Sequence, residues 1–154
     1  MHSTERTTKR AGFNRYEAIR DDYVGVDFLA YNFDSGLPEN NALAMLGFES
    51  DLGFGAHEVC TAMGDSGGPA FIKGAIAGVT AFGASLPEAD VTNQIDFSWG
   101  EVAFDTRVSI FREFILEATS GEARFVPEPT SLLLAAIVCV AACCALNRRR
   151  RPLR

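Results

Sequence analysis

The run Gly64-Asp65-Ser66-Gly67-Gly68-Pro69 constrains this chain more than any other feature. Three glycines and a proline within six residues cannot sit in a helix interior, and the glycines permit backbone turns that a Cβ resists. The run must be a tight loop that delivers the chain into extended structure. Immediately after it, Pro69–Ile72 and residues 75–82 are short apolar segments around Lys73-Gly74, which is the pattern of a β-hairpin.

The rest of the body agrees with a β fold. Residues 23–33 alternate, with Val24, Val26, Phe28 and Ala30 on one side of a strand. Asp34-Ser35-Gly36-Leu37-Pro38 and Asn40-Asn41 are turn chemistry, residues 42–48 form a second apolar run, and Gly53-Phe54-Gly55 opens a loop. Glu101–Arg107 reads as a last strand. Residues 108–118 change period, placing Val108, Phe111, Ile115 and Ala118 on one helical face and Arg112, Glu113 and Glu117 on the other. The expected fold is mainly β, a small barrel with one closing helix.

Charge is unevenly placed. Of the 14 basic residues, Arg148, Arg149, Arg150, Arg151 and Arg154 stand at the chain end, while only Glu128 of the 20 acidic residues lies beyond Val126. Residues 1–126 therefore carry nine basic and 19 acidic groups, a formal charge of −10. Such a body lacks the Lys and Arg needed to displace counterions, so a nucleic-acid partner is not expected. Cys139, Cys143 and Cys144 lie in the C-terminal apolar run, which leaves Cys60 alone in the body. No intradomain disulfide is available, and core packing must hold the body together.

The tail is organised differently. Residues 132–146 hold no charge, and with Thr130, Ser131 and Asn147 they make a marginal transmembrane span, expected at 132–147. The arginine cluster at 148–154 keeps that end cytoplasmic and the body outside. Pro127-Glu128-Pro129 precedes the span as an extended hinge. Pro-Glu-Pro, a short apolar helix and an arginine cluster in that order resemble the PEP-CTERM sorting signal. The resemblance implies recognition by an exosortase-type membrane enzyme, cleavage near Pro127, Glu128 and Pro129, and delivery to a bacterial cell surface.

The Ser66 loop carries the chemistry. A serine at a glycine-rich turn can present its hydroxyl outward while its own N–H and a neighbouring one converge to stabilise an oxyanion. Gly64-Asp65-Ser66-Gly67-Gly68-Pro69, the hairpin after it, residues 76–83, and Thr106-Arg107-Val108-Ser109 with Phe111, Phe114 and Ile115 together resemble the trypsin-like serine proteases, specifically the C-terminal barrel of their double barrel. The resemblance covers about residues 12–118 and places the protease domain at 12–120, between a disordered lead at 1–11 and a linker at 121–131. It implies Ser66 as nucleophile, Gly64 and Ser66 as oxyanion-hole donors, and Asp65 as a buried carboxylate ordering the loop. Ala81, Phe82 and Gly83 match the edge that pairs with an extended protein or peptide substrate, and Cys60 matches the base of the primary specificity pocket. No carboxylate stands at Cys60, so a small or apolar side chain is expected there rather than Arg or Lys. No cofactor is implied.

Two departures stand out. Ala62 occupies the position where the family usually has a disulfide-forming cysteine. Serine also needs an imidazole, itself oriented by a carboxylate, and nothing like the family's histidine motif precedes Ser66. His57 lies nine residues upstream, the wrong place in the topology, and His2 is at the chain start. Met1 to Arg20 contains Arg6, Lys9, Arg10, Arg15 and Arg20 but no apolar signal core. One missing upstream segment explains both gaps, so a truncated copy of a secreted, surface-sorted serine protease is the expectation. The alternative is an inactive, surface-anchored remnant or binding domain. Asp21, Asp22, Asp27 and Asp34 fit no calcium loop, and no metal site is expected.

Overall fold

In the computed structural model the described residues are 11–23 and 26–126. They form a five-stranded, wholly antiparallel sheet with few helices. The strands are β1 (Ala18–Tyr23), β2 (Val26–Phe33), β3 (Pro69–Ile72), β4 (Ala75–Ser85) and β5 (Glu101–Arg107), in the order β1-β2-β5-β4-β3. Glu101–Arg107 and the hairpin through Lys73-Gly74 are as the sequence predicts. Lys73 (φ 50°) and Gly74 (φ 81°) both take the left-handed conformation that a two-residue hairpin turn requires, and Ile72 pairs with Ala75 across it. The strand predicted at 23–33 is instead two, because β1 turns back to pair with β2, Ala18 opposite Ala30. The density of charge in AIRDDY hid β1 from a reading based on apolar alternation.

Register decides which residues share a face, because side chains alternate along each strand. Ala30 lies opposite Phe104, Asn32 opposite Val102, and Phe82 opposite Phe104. Apart from Asn32, this face is apolar around its phenylalanines and alanine. Phe82 stacks on Phe104 at 4.7 Å, and Phe28 meets Phe82 edge-on at 5.2 Å. The core continues through Ala30, Val102, Ala89 and the short helix α1 (Ala42–Met45), which contributes Ala42 and Leu43.

Asn32 fixes α1 to the sheet. It is fully buried, donates to Asn41 Oδ1 at 2.5 Å and Ser50 Oγ at 2.9 Å, and accepts the Leu43 N–H at 3.0 Å. Asn41 in turn caps α1 by accepting the Ala44 N–H. Removing a partner from such a buried network strands the others without water. Asn32→Ala is therefore expected to lower unfolding free energy by roughly 2–3 kcal/mol, measured by urea denaturation.

The predicted closing helix begins as a 3₁₀ turn, Val108–Phe111, and continues as α2 (Arg112–Ala118). The chain divides into two compact units, Met1–Arg112 and Glu113–Arg154. The sheet and the Ser66 loop belong wholly to the first. In the second, α2 ends on a left-handed Gly121 whose N–H bonds Leu116 O at 2.7 Å. Among the described residues no helix is long and apolar enough to cross a membrane. The predicted span at 132–147, the arginine tail, Pro127-Glu128-Pro129 and all but one residue of the predicted lead at 1–11 lie outside the described residues.

Candidate active site around Ser66

The Ser66 loop is built by its own backbone. Gly64 (φ 98°) and Gly67 (φ 83°) both hold left-handed conformations that a Cβ would strain. The Gly68 N–H bonds Asp65 O at 2.8 Å, and Asp65 N–H bonds Ala62 O at 3.0 Å. Two further bonds, Gly67 N–H to Thr80 O and Thr80 N–H to Gly68 O, both 2.9 Å, tie the loop to β4. These bonds leave the N–H groups of Gly64 and Ser66 with no acceptor among the described residues, and Ser66 itself is exposed.

Asp65 differs from expectation in one respect. It is exposed rather than buried, because its carboxylate turns along the surface to accept the Ala62 N–H at 2.7 Å. It closes a loop of its own chain and enters no internal cavity.

Ala81 is the extra residue of a β-bulge: Thr80 pairs with Asp105 and Phe82 with Phe104. A bulge bends the strand and re-aims its side chains, here at the segment Ala81, Phe82 and Gly83. Beyond Val79, β4 has β5 as its one strand neighbour among the described residues, since β3 pairing ends at Pro69 opposite Val79.

Cys60 is part-buried and packs near the polar face of the sheet. Burial, reinforced by the negative charges of Glu101 and Asp105, pushes its thiol up to about 12. It is a neutral thiol at physiological pH and not an activated nucleophile. The sequence placed no carboxylate at this position; the fold brings two nearby from β5. Their register explains it, because Glu101, Ala103 and Asp105 alternate with core residues and share the polar face with Tyr31, Thr80 and Gly83. Asp105 accepts a hydrogen bond from the Tyr16 hydroxyl. Its carboxyl is raised by burial, against the opposing effect of Tyr16 and Thr80, and Oδ1 has no bond of normal geometry. Tyr16 meets Tyr31 edge-on at 5.7 Å, and burial raises both phenols.

Sequence reasoning missed Tyr16, Tyr31, Glu101 and Asp105. The period-two spacing of the charges in EVAFDTR was a usable signal for the last two; nothing marked Tyr16. His57 is exposed on the 3₁₀ turn Gly55–His57 and makes no hydrogen bond to Ser66. Among the described residues no cluster of His, Cys, Asp or Glu is arranged to hold a metal. Compared with known proteins, the chain matches no family model, no curated protein and no solved structure.

Proposed function

We propose that Ser66 is the nucleophile of a serine endopeptidase of the trypsin-like kind, carried on the C-terminal barrel of that architecture. The observation that carries this reading is the loop geometry: an exposed serine between two left-handed glycines, with the Gly64 and Ser66 N–H groups free of acceptors among the described residues. Attack of Ser66 Oγ on a peptide carbonyl would leave an oxyanion for those two donors to stabilise. Asp65 holds the loop in shape, Ala81 to Gly83 form the segment that would pair with the substrate backbone, and Cys60 would line the base of the pocket for the residue before the scissile bond. The proton of Ser66 must pass to an imidazole, oriented by a carboxylate, that the described residues do not place beside it. The tail at 127–154 completes the reading: an exosortase-type enzyme cuts near Pro127-Glu128-Pro129, and the body is delivered to the outer surface.

The test supplies the missing base from solution. The full-length chain is treated with the p-nitrophenyl ester of N-acetylalanine at rising imidazole concentration, and Ser66 acylation is followed by peptide mass spectrometry. Labelling of Ser66 should rise with imidazole and exceed that of any other serine by about 10²-fold, the usual worth of an oxyanion hole. Labelling spread evenly over the serines would support the inactive, surface-anchored remnant instead, a reading favoured by the lack of a bonded histidine at Ser66 among the described residues.

A further inference from the structure

Thr80 is the residue on which the Ser66 loop hangs. Its C=O accepts the Gly67 N–H and its N–H donates to Gly68 O, both at 2.9 Å. In an antiparallel strand the N–H and C=O of one residue point to the same edge, so Thr80 has neither left for β5 on the other side. Thr80 and Asp105 nevertheless stand directly opposite each other. The pair is therefore of the non-hydrogen-bonded kind, in which the side chains come closest and must do the holding. The next residue, Ala81, is the bulge, where the register of the two strands shifts. Slippage at this point would carry the loop with it.

Asp105 supplies the hold. It is 2 % exposed, and its Oδ2 accepts the hydroxyl of Tyr16, a residue 89 positions away that precedes β1. Tyr16 is itself seated edge-on against Tyr31 of β2, ring centroids 5.7 Å apart. Strand β4 lies tight against this bond. A Cβ at Gly78 would be 2.8 Å from Asp105 Cβ and 2.9 Å from the Tyr16 oxygen, closer than packed atoms allow. Only glycine lets the strand approach so far. Gly78 and Thr80 share one face of β4, two residues apart, so Tyr16 and Asp105 brace the strand beside the residue that carries the loop.

We infer that Asp105, locked by the Tyr16 hydroxyl, is a positioning residue for Ser66, holding Thr80 and through it the Gly67–Gly68 end of the loop in register. This rests on the peptidase reading of Ser66. Neither side chain touches the substrate in this scheme. Their effect falls on the placement of Ser66 Oγ and of the Gly64 and Ser66 N–H donors. A misplacement of about 1 Å in such a constellation can cost on the order of 10²-fold in rate. The loss falls on rate and not on binding, because the segment Ala81 to Gly83 that would pair with the substrate lies beyond Thr80.

Tyr16→Phe makes the sharpest test, because it removes one oxygen and keeps the ring against Tyr31. The full-length chain and its Tyr16→Phe, Asp105→Ala and Asp105→Asn variants are treated with the p-nitrophenyl ester of N-acetylalanine over a range of ester concentrations at fixed imidazole. Ser66 acylation is followed by peptide mass spectrometry, and circular dichroism confirms that each variant is folded. Tyr16→Phe and Asp105→Ala should each lower the maximal acylation rate about tenfold or more, with the half-saturating ester concentration within about twofold of the parent. Asp105→Asn, whose amide oxygen still accepts the Tyr16 hydroxyl, should keep most of the rate. Asn32→Ala controls for lost stability alone: it opens a buried network around α1, and its rate per folded chain should match the parent. Amide exchange at Gly67 and Thr80 should quicken in Tyr16→Phe and Asp105→Ala, relative to the amides of β2. A folded Tyr16→Phe that acylates as fast as the parent, a loss confined to the half-saturating concentration, or an equal loss in Asn32→Ala overturns the inference and leaves the nucleophile intact. No Ser66 acylation in the parent at any ester concentration defeats the peptidase reading, and this inference with it.

Discussion

Peptide amides are expected to survive prolonged incubation with the full-length chain. An amide is a far poorer acyl donor than an activated ester, and no imidazole among the described residues is bonded to Ser66 to accept its proton. Losing the base from a serine triad typically costs about 10⁴–10⁶ in turnover, with only oxyanion stabilisation and binding left. His57 cannot serve as placed: it is exposed on a one-turn 3₁₀ segment and makes no hydrogen bond to Ser66. A fluorogenic peptide library, with Ser66→Ala as the blank, should show no difference between parent and variant. Turnover that disappears in both Ser66→Ala and His57→Ala would overturn this and make His57 the base.

Stability should fall between pH 5 and pH 8, with Glu58 the main cause. Glu58 is buried on the segment that leads into the Ser66 loop, and accepts the N–H groups of Phe54 at 3.1 Å and Asp34 at 3.2 Å. Those bonds favour its charged form. Burial outweighs them, and the neighbouring charges of Asp34 and Glu17 add to it, raising its carboxyl to about 7 from 4.5. The folded state therefore binds this proton more tightly than the unfolded chain does. The stabilisation is fully present below about pH 4.5 and is lost as pH rises through about 7. At about 1.36 kcal/mol per unit, the loss is on the order of 2–3 kcal/mol. Burial shifts the carboxyls of Asp34 and Glu17 in the same direction. Urea midpoints at pH 5 and pH 8 measure it, and Glu58→Gln should remove most of the difference. That variant also separates Glu58 from the general self-repulsion of an acidic body. Equal midpoints for the parent at the two pH values would contradict the assignment.

The parts of the fold legible in the sequence are those governed by neighbours along the chain. Lys73-Gly74 marks its own turn because two adjacent residues must both be left-handed. Glu101–Arg107 marks itself by alternation. The Ser66 loop is legible for the same reason, since Gly64 and Gly67 sit where the backbone needs them and Asp65 reaches only as far as Ala62. β1 was not legible, because its pairing with β2 satisfies the backbone of a charged segment whatever its apolar content.

The sequence by itself therefore determined the β class, the position of the exposed serine and the absence of a histidine motif before it. All of these follow from residue type and short spacing. Only the tertiary structure decided what surrounds the serine. Cross-strand register puts Glu101 and Asp105 on one face with Tyr31 and Thr80, a bulge at Ala81 shifts the pairing of β4, and Glu101 Oε1 accepts the Asp96 and Ser98 N–H groups. The first two of these relations join residues from distant parts of the chain. They depend on which strands become neighbours, a choice made by burial of the shared apolar face and not by any local preference of the residues that end up in contact.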